Sequence, residues 1–123
     1  MNICCFDLNR TIIAIESNTE SIASILRSRR DATQLPDAAT PPDIVFRINE
    51  GQVSPNPSKH GSFQNDEITF IVNERYLVVA YWRGHPWRID IRSYDCSSED
   101  LYSLVIDPLL LACVARVGQS KGA

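Results

Sequence analysis

The clearest hydrophobic pattern lies in residues 68–92, where three apolar runs are separated by short polar breaks. Runs rich in β-branched and aromatic residues with such breaks predict an antiparallel meander. In the third run, Trp87, Ile89 and Ile91 alternate with charged residues, so one face of this strand is apolar and the other is solvated. The middle run, residues 76–82, is apolar on both faces, which predicts a central strand covered on both sides.

Three more apolar runs predict strands nearer the N-terminus. Residues 3–8 and 11–16 flank the pair Asn9-Arg10. This arrangement fits a tight hairpin, and it also fits one longer, bent strand. Residues 43–49 predict a strand because β-branched and aromatic residues dominate the run.

A first helix is predicted directly after the N-terminal strands. Residues 17–20, Ser-Asn-Thr-Glu, have the spacing of a capping box, in which Ser17 caps the amide of Glu20. Ile22 and Leu26 follow at helical spacing and predict an apolar stripe that packs on the sheet. The arginines of residues 27–30 favour a solvated helix end that complements the helix dipole, and phosphate binding is the alternative for this cluster.

A second helical region is predicted near the C-terminus. Ser97 is the expected N-cap, with acidic residues in the first turn. Pro108 lacks an amide, so either the helix kinks there or a second helix begins with Asp107 as its cap. Residues 109–117 are apolar almost all round, and Gly118 is the expected end of the helix.

The sequence therefore predicts an α+β fold: an antiparallel sheet of about five or six strands, one helix near the N-terminus and a kinked or split helix at the C-terminus. Residues 1–123 form a single domain, in which residues 119–123 are a flexible tail. Residues 31–42 and 51–67 contain several prolines and are expected to be loops within this domain.

Composition narrows the class of protein. With 123 residues, 44% hydrophobic residues and 22% charged residues, the chain matches an ordinary soluble domain. A formal net charge of -3 argues against a nucleic-acid partner, because phosphate binding needs a cationic surface. We expect no membrane span and no signal peptide, since no apolar run approaches ~18 residues and the N-terminus is not basic. A cytoplasmic location follows as an expectation.

No catalytic or metal-binding arrangement is recognisable in the sequence. The four cysteines form no CxxC pair, and Cys4 and Cys5 would point to opposite faces of a strand. Small buried hydrophobic residues in a reducing environment are the favoured interpretation of all four. His60 and His85 are the only histidines and have no recognisable ligand spacing. We therefore expect no enzyme activity, no cofactor and no bound metal.

The apolar C-terminal segment is the first candidate interaction site. A helix that is apolar all round normally has cover on every side, and so small a domain supplies little of it. Either a protein partner or a second copy of the chain covers the helix, or its own sheet buries it. The residues predicted to bind a partner are Leu109, Leu110, Cys113, Val114 and Val117.

The segment 82–88 is the second candidate site, because arginine, histidine and tryptophan crowd one hairpin there. A free-standing protein could bind a peptide or a small ligand at this tip. The alternative is that Gly84 and Pro86 shape the turn while the tryptophans anchor its flanks in the core. The residues predicted to bind the ligand are Trp82, Arg83, His85, Trp87 and Arg88.

The layout of residues 42–118 resembles the N-terminal region of HPr-kinase-like ATPases. The resemblance rests on the run Pro-Asp-Ile-Val-Phe-Arg-Ile, a variable loop, the meander, the acidic helix start at residues 98–101 and the run Asp-Pro-Leu-Leu-Leu-Ala-Cys-Val-Ala-Arg-Val-Gly. In that family a similar helix leads into the catalytic half with its glycine-rich phosphate loop. No G-x-x-x-x-G-K-[ST] occurs in this chain. The resemblance therefore implies a non-catalytic accessory domain, from a truncated or split protein, whose partner is a separate ATPase half.

Overall fold

The structure, a computed structural model, describes residues 2–36, 40–53 and 60–122 of the 123 residues, with side chains as far as residue 119. The described residues form eight strands, one short helix between the second and third strands, and a helical region after the last strand. The strands are β1 (Asn2–Leu8), β2 (Thr11–Ser17), β3 (Ala32–Gln34), β4 (Ile44–Asn49), β5 (Gly61–Gln64), β6 (Ile68–Val72), β7 (Tyr76–Tyr81) and β8 (Trp87–Ser93). The helices are α1 (Ser21–Arg27), α2 (Ser98–Leu101) and α3 (Asp107–Gly122), with a π-helical turn (Tyr102–Ile106) between the last two.

All the strands belong to one mixed sheet, with the order β3-β1-β2-β4-β8-β7-β6-β5. The prediction of an α+β fold is confirmed, whereas the prediction of an antiparallel sheet of about five or six strands is only partly correct, because the sheet has eight strands and two of its pairings are parallel. β4 lies between β2 and β8 and runs parallel to both. This pairing was not visible in the sequence, because parallel neighbours are joined by long crossovers and leave no local turn signal.

The core lies on one face of the sheet, where α1 and the C-terminal helix pack. The strands contribute fully buried residues such as Phe46, Ile89 and Ile91, and α1 contributes Ile22 and Leu26 to the same cluster. Burying an aliphatic or aromatic side chain of this size contributes roughly 1.5–3 kcal/mol, so this layer supplies most of the driving force for folding. The helices therefore cover only one side of the sheet within the described residues.

The meander and the N-terminal hairpin form as the sequence predicts. β6, β7 and β8 pair antiparallel in order, and Ile89 and Ile91 face the core. β7 is not covered on both sides, because Val79 is only half-buried on its second face. Asn9 and Arg10 have φ values of 52° and 68°, as a two-residue type I′ turn requires, so the tight hairpin is the correct alternative.

The two edge strands fall in segments that the sequence predicts to be loops. β3 pairs with β1, and β5 pairs with β6. Each has only three or four residues with weak β propensity, and its extended form depends on the longer strand beside it. Pairing with a neighbour decides the conformation here, so the local pattern was uninformative.

The helix boundaries differ from the prediction at two points, the start of α1 and the end of α3. α1 begins at Ser21, and the Ser17 hydroxyl accepts a hydrogen bond from the amide of Thr19, so the predicted capping box is absent. Near the C-terminus, Ser97 caps the helix by accepting from the Asp100 amide, as predicted. The helical region is continuous through Pro108, and in the π-helical turn just before it the Asp107 amide donates to the Tyr102 carbonyl, five residues back. It continues past Gly118 to Gly122, so residues 119–122 are helical instead of a tail.

Candidate interaction site

The inner side of the C-terminal helix is fixed on the chain's own sheet. Leu110 and Cys113 are fully buried and Val117 nearly so, while Leu109 and Val114 are half-buried against the same cluster. Burial raises the pKa of the Cys113 thiol to about 12. Three of the five residues predicted to bind a partner are therefore inaccessible in the folded monomer, and the accessible surface of this helix consists of other residues.

The outer side of the same helix carries an exposed, uncharged stripe. Leu104 and Leu111 expose 52% and 57% of their surface. Pro108, Ala112 and Ala115 lie at the intervening positions three or four residues apart and are also exposed. We call these five residues the outer stripe. Because a solvated helix face normally carries charged or polar side chains, an apolar stripe of this length indicates a surface that is covered by something else.

Specific polar contacts hold the helix in place and so orient the outer stripe. At its start, Arg29 from the segment after α1 donates to the Asp107 carboxylate at 2.7 Å and to the Tyr102 hydroxyl at 2.8 Å. Near its end, the Arg116 guanidinium lies 4.4 Å from the centroid of the Trp82 ring. The local sequence predicts a solvated helix end at Arg29 and gives no sign of this contact. Its partners lie more than 70 residues away, so no local signal exists.

Trp82 and Trp87 anchor the 82–88 hairpin. Their ring centroids are 5.8 Å apart in an edge-to-face arrangement. The Trp82 indole nitrogen donates to the Thr69 hydroxyl at 2.8 Å, and Arg116 occupies one face of its ring. These contacts match the alternative in which the two tryptophans anchor the flanks of the hairpin in the core.

The other three residues of the hairpin site do not converge with the tryptophans. Arg83 is largely exposed and pairs with Glu67 at 2.7 Å. His85 is exposed at the turn, next to the cis bond before Pro86. Arg88 lies on the opposite face of the sheet, because its register partner is Tyr81, whereas Ile89 faces the core. The structure therefore divides the five residues between two faces and a loop.

A polar cluster lies where β2 and β4 end, and the sequence analysis did not identify it. The Glu50 carboxylate accepts a hydrogen bond from the Ser98 hydroxyl at 2.5 Å and another from the Thr19 hydroxyl. The Asn18 side chain exchanges two hydrogen bonds with the Glu50 backbone. Since Thr19 precedes α1 and Ser98 starts α2, Glu50 ties the starts of two helices to the sheet.

The thiol beside this cluster is not activated for nucleophilic chemistry. The neighbouring Cys96 has a raised pKa, chiefly because burial disfavours its thiolate. Across residues 2–36, 40–53 and 60–122, no group of three or more histidine, cysteine, aspartate or glutamate side chains could hold a metal ion.

Comparison of the chain with protein-family models, curated proteins and solved structures gave no match.

The composition of the C-terminal helix also satisfies a coarse membrane criterion. Residues Ser98–Gln119 form a 22-residue helix with a mean hydropathy of 1.7, enough by length and composition alone to cross a bilayer. Core helices of soluble proteins meet the same criterion, and this helix packs its inner side on the sheet. The outer stripe remains the part of the helix that is available for binding.

Proposed function

We propose that the chain is a non-catalytic interaction domain, and that the outer stripe of its C-terminal helix binds a second copy of the chain. The observation that carries the proposal is the exposure of Leu104 and Leu111 on a stripe whose other three residues are also exposed and uncharged. Covering two exposed leucines in each copy removes apolar surface from water, which is the main driving force for association.

Self-complementarity favours a second copy as the partner. In an antiparallel pair centred on Leu111, each Leu104 faces Gly118 of the other copy, where a Cβ atom would meet nothing within 4 Å. A large residue then opposes a small one at each end of the contact, and the two Leu111 side chains meet at the two-fold axis. The same arrangement brings Asp107 of one copy near Arg116 of the other and opposes the two helix dipoles. A single helix pair is smaller than a standard interface, so we expect a weak dimer with a Kd of roughly micromolar or above.

Light scattering over a concentration series tests this proposal. The mass of the wild type should rise toward that of a dimer, and Leu111→Glu should keep the chain monomeric. Val53→Glu introduces the same charge at a residue that is 90% exposed outside the stripe and should behave like the wild type. A wild type that stays monomeric at all concentrations would refute the proposal.

Disulfide trapping tests the antiparallel geometry separately. In a background carrying Cys4→Ser and Cys96→Ser, Leu111→Cys should form a disulfide-linked dimer, because this residue meets itself at the two-fold axis. Val53→Cys in the same background should not. Equal trapping at both positions would mean that the stripe has no specific orientation.

Two other partners of the outer stripe would give results that differ from those of a dimer. The resemblance to HPr-kinase-like ATPases points to a separate ATPase half, which would give a mixed complex with a monomeric chain, sensitive to Leu111→Glu. A membrane would give co-sedimentation with phosphatidylcholine vesicles that the same substitution abolishes. Either result, together with a wild type that stays monomeric in solution, would mean that the partner of the outer stripe is not a second copy of the chain.

A further inference from the structure

The sheet has a second face, on which no described helix packs. Side chains of each strand alternate between the two faces, and the register shows which residues share the second one. One row across the sheet contains Ile68, Tyr81 and Arg88, and the next contains Phe63, Phe70, Val79 and Asp90. This face is therefore apolar on β5, β6 and β7, and it becomes charged at β8.

The apolar part of this face is accessible. Phe63 exposes 57% of its surface and Tyr81 exposes 40%, while the residues between them are half-buried. We call Phe63, Ile68, Phe70, Val79 and Tyr81 the sheet patch. A cavity of about 430 Å³ adjoins it, with Phe63, Ile68 and Tyr81 among its lining residues and the Arg83–Glu67 ion pair in its wall. A cavity of this size accommodates a large side chain of a partner.

The charged border of the sheet offers two exposed arginines to a partner. Arg88 and Arg92 are exposed on β8, and neither takes part in an ion pair with a described residue. Asp90 lies between them, and its Oδ1 atom is buried without a hydrogen-bond partner among the described residues.

We infer that the sheet patch and the β8 border bind an amphipathic helix of a partner protein, with its apolar face on the patch and acidic residues along one flank. Three strands span about 10 Å between their outer axes, which matches the diameter of a helix. Arg88 and Arg92 are four residues apart in a strand, a distance of about 13 Å. Two acidic residues eight positions apart on a helix are separated by about 12 Å, so each meets one arginine.

A synthetic helical peptide is a suitable probe for this surface. It carries leucines at helical spacing, and its flank has glutamates at two positions eight residues apart. Binding is measured by fluorescence anisotropy of the labelled peptide. We expect saturable binding, with a lysine-flank version of the peptide binding at least about tenfold more weakly. Absence of saturable binding up to about 1 mM would overturn the inference.

Charge reversal identifies the surface. The double substitution Arg88→Glu and Arg92→Glu should weaken binding of the acidic peptide by about tenfold or more. It should strengthen binding of the lysine-flank peptide. Arg30→Glu is the matched control, because Arg30 is exposed near the end of α1, away from this face. An equal effect of Arg30→Glu would mean non-specific attraction and would overturn the inference.

Substitutions in the patch separate this site from the helix dimer. Tyr81→Glu should abolish peptide binding while leaving the concentration-dependent mass unchanged. Leu111→Glu should abolish the rise of mass with concentration while leaving peptide binding unchanged. Loss of the dimer in Tyr81→Glu would instead assign this face to a second copy of the chain. Equally tight binding of a proline-containing peptide of the same composition would exclude recognition of a helix.

Discussion

The guanidinium of Arg29 lies 2.7 Å from the carboxylate of Asp107 and so joins the end of the first helical segment to the C-terminal helix. The same guanidinium bonds Asp31 on its other side. These contacts, with that to Tyr102, raise the pKa of Arg29, the bond to Asp31 being the largest cause. One side chain therefore connects the two helical elements that cover the core.

Removing this connection should destabilise the whole domain. Arg29→Ala leaves Asp107 and Tyr102 without their charged partner, and we expect the free energy of unfolding to fall by about 1–3 kcal/mol. Denaturant unfolding followed by circular dichroism measures the change. Arg30→Ala removes a neighbouring exposed arginine and should change stability by no more than about 0.5 kcal/mol. Equal effects of the two substitutions would contradict this role for Arg29.

Asp31 should make a small contribution that depends on pH. Its bond to Arg29 holds the pKa of the carboxyl below its usual range. A carboxyl with a lowered pKa in the folded state stabilises the fold above its unfolded pKa, and this stabilisation is lost as the pH falls through the folded pKa. Asp31→Asn should therefore be slightly less stable than the wild type at pH 7, by less than about 1 kcal/mol because the pair is exposed.

The measurement for Asp31 is the difference in unfolding free energy between wild type and Asp31→Asn across pH. The difference should begin to shrink as the pH falls through the unfolded pKa of about 4 and should vanish only below the lower folded pKa, where the carboxyl is protonated in both states. A difference that is constant from neutral to acidic pH would show that the charge of Asp31 is not the cause.

Glu50 should couple energetically to Ser98, because the Ser98 hydroxyl donates to its carboxylate. Glu50→Ala and Ser98→Ala each remove this hydrogen bond, so the double variant should lose less stability than the sum of the single losses. The expected coupling is about 0.5–3 kcal/mol in unfolding experiments. Ser103→Ala serves as the control, since the Ser103 hydroxyl donates only to the Glu99 carbonyl of its own helix. Strict additivity with Ser98→Ala would mean that the contact contributes nothing.

Cys113 should react very slowly with alkylating agents while the chain is folded. Burial raises its pKa to about 12, and the thiolate is the species that reacts with alkylating agents. At pH 8 we expect iodoacetamide to modify Cys4, which is half-buried, well before Cys113. Peptide mass spectrometry resolves the two sites, and denaturant should make their rates similar. Rapid modification of Cys113 without denaturant would show that the C-terminal helix opens readily from the sheet.

Local patterns were sufficient where neighbours in sequence are also neighbours in space. The alternation of Ile89 and Ile91 with charged residues identified the core face of β8, and Asn9-Arg10 identified a two-residue turn. Ser97 was recognised as a cap because its partner, Asp100, is three residues away. In each case the hydrogen bonds and contacts that decide the structure lie within a few residues.

The outer stripe shows where such reasoning failed. Residues 109–117 are apolar on nearly every side, so the pattern did not show which side faces the sheet. The π-helical turn changes the helical phase just before Pro108, and the sheet then buries Leu110, Cys113 and Val117. Leu111 was consequently absent from the predicted partner-binding residues, although it is among the most exposed leucines.

The sequence by itself determined an α+β domain with a three-strand meander and an apolar C-terminal helix, and it left the N-terminal hairpin open against one bent strand. Only the tertiary structure decided that β4 runs parallel to its two neighbours, that β3 and β5 become edge strands, and that Arg29 reaches Asp107. The physical reason is the range of the interactions. Turns, caps and side-chain alternation depend on nearby residues, whereas strand pairing, the exposed side of a uniformly apolar helix and a long-range ion pair depend on residues brought together by folding.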